Sequence, residues 1–209
     1  MTALCADLEN RLQDGEIASE YWPDHAIPPD HAERVASRIG TLIHKVFENY
    51  TLSTNKPDYL TRIDKVVAFW SLSLRPLQLS SAEMERILDH MKATVLKTLS
   101  DPKLYWIFDN QHLESACELK MSQRHNGHTQ QFVIDRTFVD QDNTRWIIDY
   151  KTSRRQPEQS ESEFIQSQAE KYRSQLENYR DLITAAENRN ARLALLLTDI
   201  PALIELESC

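Results

Sequence analysis

From Ala32 to Tyr50 the apolar residues Val35, Ile39, Leu42, Ile43, Val46, Phe47 and Tyr50 recur three and four positions apart, the spacing of one helix face. The same period predicts helices at about 58–73 and 81–99, the second opened by Ser80 or Ser81 as a cap. The period then changes. Residues 114–123, 131–139 and 145–151 alternate or run apolar in short stretches, as strands do, and Asp140-Gln141-Asp142-Asn143-Thr144 reads as the turn between the last two. Ser160 with Glu163 three residues later is a capping box. It opens a long helix whose buried stripe is Ile165, Ala169, Tyr172, Leu176, Tyr179, Ile183 and Ala186. Leu193 to Thr198 is a continuous apolar strand, and Leu203 to Leu206 a shorter one. Helices, a three-strand meander, a helix and one or two strands make an α/β domain with a helical N-terminal part.

Residues 1–32 stand apart: a short helical spacing (Leu4, Leu8, Leu12) leads into a stretch broken by Pro23, Pro28 and Pro29, with one Arg against seven acids. They read as an acidic arm or linker. The domain proper is then 33–209, with a helical part at 33–110 and a sheet core at 111–209.

Composition narrows the chemistry. The three glycines, Gly15, Gly40 and Gly127, lie too far apart for a dinucleotide-binding turn or a P-loop, so the chain holds no nucleotide site of either kind. Cys5, Cys117 and Cys209 form no C-x-x-C, which excludes a cysteine-built zinc or iron–sulfur site and points to a reducing, cytoplasmic setting. No apolar run approaches the roughly 20 residues that span a bilayer, so no membrane partner is expected. The net charge of −8 hides one basic stretch, residues 120–155, with seven Lys or Arg against four Asp. Local fields matter more than the total.

That stretch also holds the carboxylates of interest. With the turn centred near Asp142, Asp135 and Asp149 stand directly opposite in an antiparallel pair and share a face, with Cβ atoms about 4.5–5.5 Å apart. Two carboxylates so close repel unless a cation lies between them, which is how an oxygen-rich Mg²⁺ site is built. Period-2 alternation puts Lys151 on the face of Asp149 and turns Trp146, Ile148 and Tyr150 the other way. A surface hairpin with an incidental charge cluster would look the same. The apolar runs Phe132-Val133-Ile134 and Ile147-Ile148 favour a central strand, where ionised side chains are seldom left without a purpose.

His44 lies opposite the apolar stripe of its helix, on the face of Ser37, Gly40 and Glu48, which makes it a solvated histidine or a ligand rather than a core one. Gly40 precedes it by one turn on that face. A glycine inside a helix costs about 1 kcal/mol relative to Ala, and a bare patch beside an imidazole suits close approach of a backbone or a ligand.

Gly40-Thr41-Leu42-Ile43-His44, Glu118, Ile134-Asp135-Arg136, Ile148-Asp149-Tyr150-Lys151-Thr152 and Gln175-Leu176-Glu177-Asn178-Tyr179 follow one another in the order and approximate spacing of the RecB-type nuclease domain. The chain resembles this branch of the PD-(D/E)xK superfamily, found in helicase–nucleases and stand-alone exonucleases, from about Arg38 to its end. The resemblance implies a restriction-endonuclease-like mixed sheet flanked by helices, and hydrolysis of DNA phosphodiesters with Mg²⁺ or Mn²⁺. It implies His44, Asp135, Asp149 and the Tyr150 carbonyl as metal ligands, and Lys151 as the residue that orients the attacking water. Glu118 takes a supporting acidic role, and Gln175 and Tyr179 line the DNA side, although Tyr179 also belongs to the buried stripe. The chain departs from the family at Phe132, where a Gly is usual, and it lacks the four cysteines of the iron–sulfur subgroup.

The residues suit the reaction independently of the family. A divalent ion makes a nucleophilic water available near neutral pH, and an ammonium stabilises charge added in the transition state. Arg136, Arg145, Arg154 and Arg155 offer phosphate contacts without reading sequence. His125-Asn126-Gly127-His128 reads as a strand-connecting loop rather than a second metal pair. The expected function is a metal-dependent deoxyribonuclease, an exonuclease on single-stranded DNA in recombination or repair, joined to or partnered by a helicase. The alternatives are a catalytically silent DNA-binding module of the same fold and a helicase-docking domain, for which the acidic arm is the best argument.

Overall fold

Burial of the apolar stripe at 35–50 makes one long helix, α1 (Pro29–Leu52), in the computed structural model, which describes residues 29–125, 128–187 and 189–206. The helix opens on proline, whose missing N–H is no loss in a first turn, so the expected boundary between residues 32 and 33 falls inside it. Residues 1–28, the rest of the acidic arm, lie outside the described residues.

The helix expected at 58–73 is two, α2 (Lys56–Thr61) and α3 (Ile63–Leu74), because Arg62 leaves helical geometry (φ −99°, ψ 12°) between them. The Asn55 side chain accepts the Asp58 N–H and starts α2. Helix α4 (Ser81–Leu99) has the expected bounds, and Ser80 and Glu83 exchange hydrogen bonds in a capping box. A 3-10 turn at Tyr105–Phe108 then leads into the sheet.

The sheet is mixed and its five strands lie side by side in chain order: β1 (Leu113–His125), β2 (His128–Val139), β3 (Arg145–Lys151), β4 (Ala191–Leu197) and β5 (Ala202–Leu206). Only β3 and β4 run parallel, and the crossover that a parallel pair requires is α5 (Glu161–Ala186), opened by the Ser160–Glu163 capping box. Between β1 and β2, His125 pairs with His128, and Asn126 and Gly127 lie outside the described residues. Among the described residues no helix is long and apolar enough to cross a membrane.

Strand alternation divides the core in two. Trp146, Ile148, Tyr150, Ala194 and Leu196 pack against α1, α3, α4 and the 3-10 turn, while Ile134, Ile147, Leu193, Leu195 and Leu197 pack against Phe164, Leu176 and Ile183 of α5. The turn between β2 and β3 is held by Asp140, whose carboxylate accepts the N–H groups of Asp142 and Thr144 and the Trp146 indole N–H. This sets the register Val139↔Arg145, Phe138↔Trp146, Thr137↔Ile147 and Arg136↔Ile148. The ladder ends there, one step short of Asp135 and Asp149, and the Asp135 side chain takes the Tyr150 N–H at 2.7 Å.

Candidate metal centre

Where β3 parts from β2, three elements bring acidic and imidazole groups together. Helix α1 presents His44, whose Nδ1 lies 3.2 Å from Asp135 Oδ1. The edge of the His44 ring meets Tyr150, at a centroid distance of 5.5 Å, so packing against the core aims the imidazole. Strand β1 supplies Glu118, whose φ of 50° is left-handed, a conformation that costs a non-glycine residue about 1–3 kcal/mol. Ligating atoms of His44, Glu118 and Asp135 all lie within 4.8 Å of one another.

Asp149 and Lys151 stand beside this trio, on the α5 face. Lys151 Nζ is 2.9 Å from Asp149 Oδ2, 3.1 Å from Gln175 Oε1 and 3.6 Å from the Tyr172 ring centroid. Gln175 Nε2 donates to Asp149 Oδ1 (3.3 Å) and to the Tyr179 hydroxyl (2.7 Å). The helical spacing of Tyr172, Gln175 and Tyr179 therefore builds one wall of the site, and Tyr179 is at once a member of the buried stripe and a partner of Gln175. Sequence reasoning placed Tyr172 only in that stripe. Its position three residues before Gln175 was the available signal for more.

Electrostatics separates the two aspartates. Burial would raise Asp135, but His44 and the Tyr150 N–H outweigh it and hold the acid below its ordinary value. Burial would lower His44, yet Asp135, Glu118 and Asp149 together raise it. Asp149 is pushed up by burial and by Asp135, against the pull of Lys151. Burial would lower Lys151, but Asp149, Tyr172 and Asp135 together outweigh it and raise the ammonium. The Asp149 Oδ2 atom is buried against the Lys151 ammonium. Convergent carboxylates with one imidazole suit Mg²⁺ or Mn²⁺. The residues fit a divalent ion.

Four of the expected residues are placed differently. Glu118, expected in a supporting role, belongs to the tight trio, while Asp149 of the expected ligand set stands outside it with Lys151. Arg136, expected at a phosphate, is fully buried, and its guanidinium donates to the carbonyls of Ile107, Ala116 and Asp109 and to the Ser115 hydroxyl. Arg145 is buried too, in ion pairs with Glu114 and Glu187. Arg154 and Arg155 are exposed in the loop that follows Lys151, with the Arg155 guanidinium on the Gln159 carbonyl and its N–H on Asp199. The Tyr150 side chain is in the core, and its N–H is engaged by Asp135.

The family model of the PD-(D/E)XK nuclease superfamily matches residues 23–205. Among solved structures, the crystal structure of SSO0001 is similar to the chain with a TM-score of 0.30 and 16% identity, over 81% of this chain and 77% of that one. No curated protein matches the sequence.

Proposed function

The chain belongs to the PD-(D/E)XK nuclease superfamily, and from that premise we propose that it is a divalent-metal-dependent DNA nuclease of RecB type, an exonuclease on single strands that works in recombination or repair beside a helicase domain or subunit. The observation that carries the nuclease reading is the convergence of His44, Glu118 and Asp135 next to the Asp149–Lys151 pair. The ordered motifs from Gly40 to Tyr179 support the RecB type, and with it the single strand and the helicase.

His44, Glu118 and Asp135 would hold the metal, with Asp149 and the Tyr150 carbonyl as further oxygen donors. When bound, Mg²⁺ or Mn²⁺ makes water acidic enough to attack and offsets phosphate charge. Lys151, fixed by Asp149, Gln175 and Tyr172, orients the water and meets charge that appears only in the transition state. Arg154 and Arg155, just beyond it, hold phosphates.

Oligonucleotides labelled at either end, single- and double-stranded, test this in Mg²⁺, in Mn²⁺ and in EDTA after metal stripping. The wild type should cut only with metal and release mononucleotides or short products from one end of single strands. Asp135→Asn and Lys151→Ala should not cut, and Lys151→Ala should still bind DNA in Ca²⁺. Metal-independent cutting, or undiminished cutting by Lys151→Ala, sinks the proposal, and binding without cutting by the wild type makes this a binding module.

A further inference from the structure

Residues 152–160, between β3 and α5, form neither helix nor strand, yet they leave the sheet directly from Lys151 and carry the exposed Arg154 and Arg155. A segment outside any ladder takes its path from the groups that reach its backbone. Because β3 and β4 run parallel, the turn after β4, residues 198–201, lies at the same end of the sheet as Lys151. Two consecutive residues of that turn hold the loop. The Thr198 N–H donates to the Lys151 carbonyl at 3.0 Å, and the half-buried Asp199 accepts the Arg155 N–H on Oδ2, also at 3.0 Å. The turn is tied in turn to α4, where Lys97 Nζ lies 3.5 Å from the Asp199 carbonyl. His90, on the same helix, senses both segments: burial and Arg154 lower its imidazole, and Asp199 raises it.

The residue type is informative. A carboxylate next to two arginines that contact phosphates works against them through its charge, so by charge alone Asp199 weakens the binding of an anion. Its hydrogen bond goes to the backbone of the loop, while the Arg155 guanidinium donates to the Gln159 carbonyl within the loop. The bond therefore sets the path of the main chain from which both arginines project. Lys151 does not depend on it, since that residue is paired with Leu197 across the ladder and its ammonium is held by Asp149 and Gln175.

We propose that Asp199 is a positioning residue of the nuclease: by taking the Arg155 N–H it fixes the loop after Lys151 in the arrangement in which Arg154 and Arg155 meet the phosphates of the substrate. It acts through the two arginines and touches no reacting atom. A loop ordered in advance is not ordered at the expense of binding, so the effect belongs to affinity and not to the chemical step. The inference rests on the nuclease reading, which assigns those arginines to phosphates.

The test compares Asp199→Ala with Asp199→Asn, each in the wild type and in the Arg154→Ala, Arg155→Ala background, by oligonucleotide affinity in Ca²⁺, cleavage in Mg²⁺ and hydrogen exchange at the residue 155 amide. Asp199→Ala should raise the dissociation constant and KM about fivefold, the scale of one lost hydrogen bond, with kcat little changed. Asp199→Asn keeps an acceptor oxygen and loses the charge, so it should bind as tightly as the wild type or more tightly. Exchange at the amide should accelerate about fivefold in the Ala variant and stay slow in the Asn variant. In the background without the two arginines Asp199→Ala should cause no further loss, as residues acting through one another require. Tighter binding by Asp199→Ala overturns the proposal, because the carboxylate then acts by repulsion alone. Equal losses with and without the arginines, or a loss in the Asn variant as large as in the Ala variant, overturn it too. A wild type that binds in Ca²⁺ but does not cut refutes the nuclease reading alone, because the affinity series still reports on Asp199. A wild type that neither binds nor cuts refutes both.

Discussion

His44 Nδ1 lies 3.2 Å from Asp135 Oδ1, so a residue of the first described helix and one of the second strand share a proton or a cation. With no metal bound, burial opposes both charges, but Asp135 raises His44 above its ordinary 6.5 and His44 lowers Asp135 below its ordinary 3.8, so each favours the charged form of the other. The sign follows for each partner. The raised histidine contributes stability that is complete below 6.5 and is lost as pH rises through its folded pKa. The lowered aspartate contributes stability that is present above 3.8 and is lost as pH falls through its folded pKa.

A metal bound by His44 must displace that proton. Mn²⁺ affinity should therefore rise about tenfold per pH unit below the His44 pKa and level off above it. Titration calorimetry at several pH values checks this, and in His44→Ala the slope should flatten while affinity falls. A pH-independent affinity in the wild type would remove His44 from the ligand set.

Glu118 combines a strained backbone with a place in the metal trio. Glycine tolerates a φ of 50°, so Glu118→Gly should leave stability unchanged or raise it by about 1 kcal/mol. The same variant should need at least about tenfold more metal for half-maximal activity, or 1.4 kcal/mol. Denaturant unfolding and metal titration of activity give the two numbers. Lower stability with an unchanged metal requirement would make Glu118 a structural residue.

Arg136→Leu should destabilise the fold by about 3 kcal/mol or more, because the Ile107 and Asp109 carbonyls lose their donors in the interior. DNA affinity per folded molecule should not change. Urea unfolding with parallel binding assays distinguishes this from a phosphate contact, for which affinity falls and stability holds. Arg154→Ala combined with Arg155→Ala should show that second pattern.

The Tyr172 ring lies under the Lys151 ammonium, a contact worth about 0.5–2 kcal/mol where water is excluded. Tyr172→Leu should lower kcat about three- to thirtyfold with little change in KM, and Tyr172→Phe, which keeps the ring face, should restore most of it. Equal losses in Leu and Phe variants would assign the effect to the hydroxyl or to the fold.

Period and local chemistry made much of this legible in the sequence. Strand alternation was enough to put Asp149 and Lys151 on one face and to turn Tyr150 away from them, because side-chain direction in a strand depends only on parity. The Ser160–Glu163 pair marked one helix start and a serine at 80 or 81 another, since a cap is closed within four residues. The site's remaining features depend on contacts between distant segments. Arg136 reads as a surface cation until the carbonyls of the 3-10 turn some 29 residues earlier surround it. Glu118 reads as an ordinary strand residue, because a left-handed kink at a non-glycine is imposed by tertiary packing and carries no local signature. Gly40 shows its bareness in the sequence, but only the position of Thr152 reveals that the fold leaves room for a side chain there. Sequence alone determined which groups share a face. The tertiary structure decided which of them are buried, partnered and close enough to bind one ion, because burial and distance are properties of the packed chain and not of any one segment.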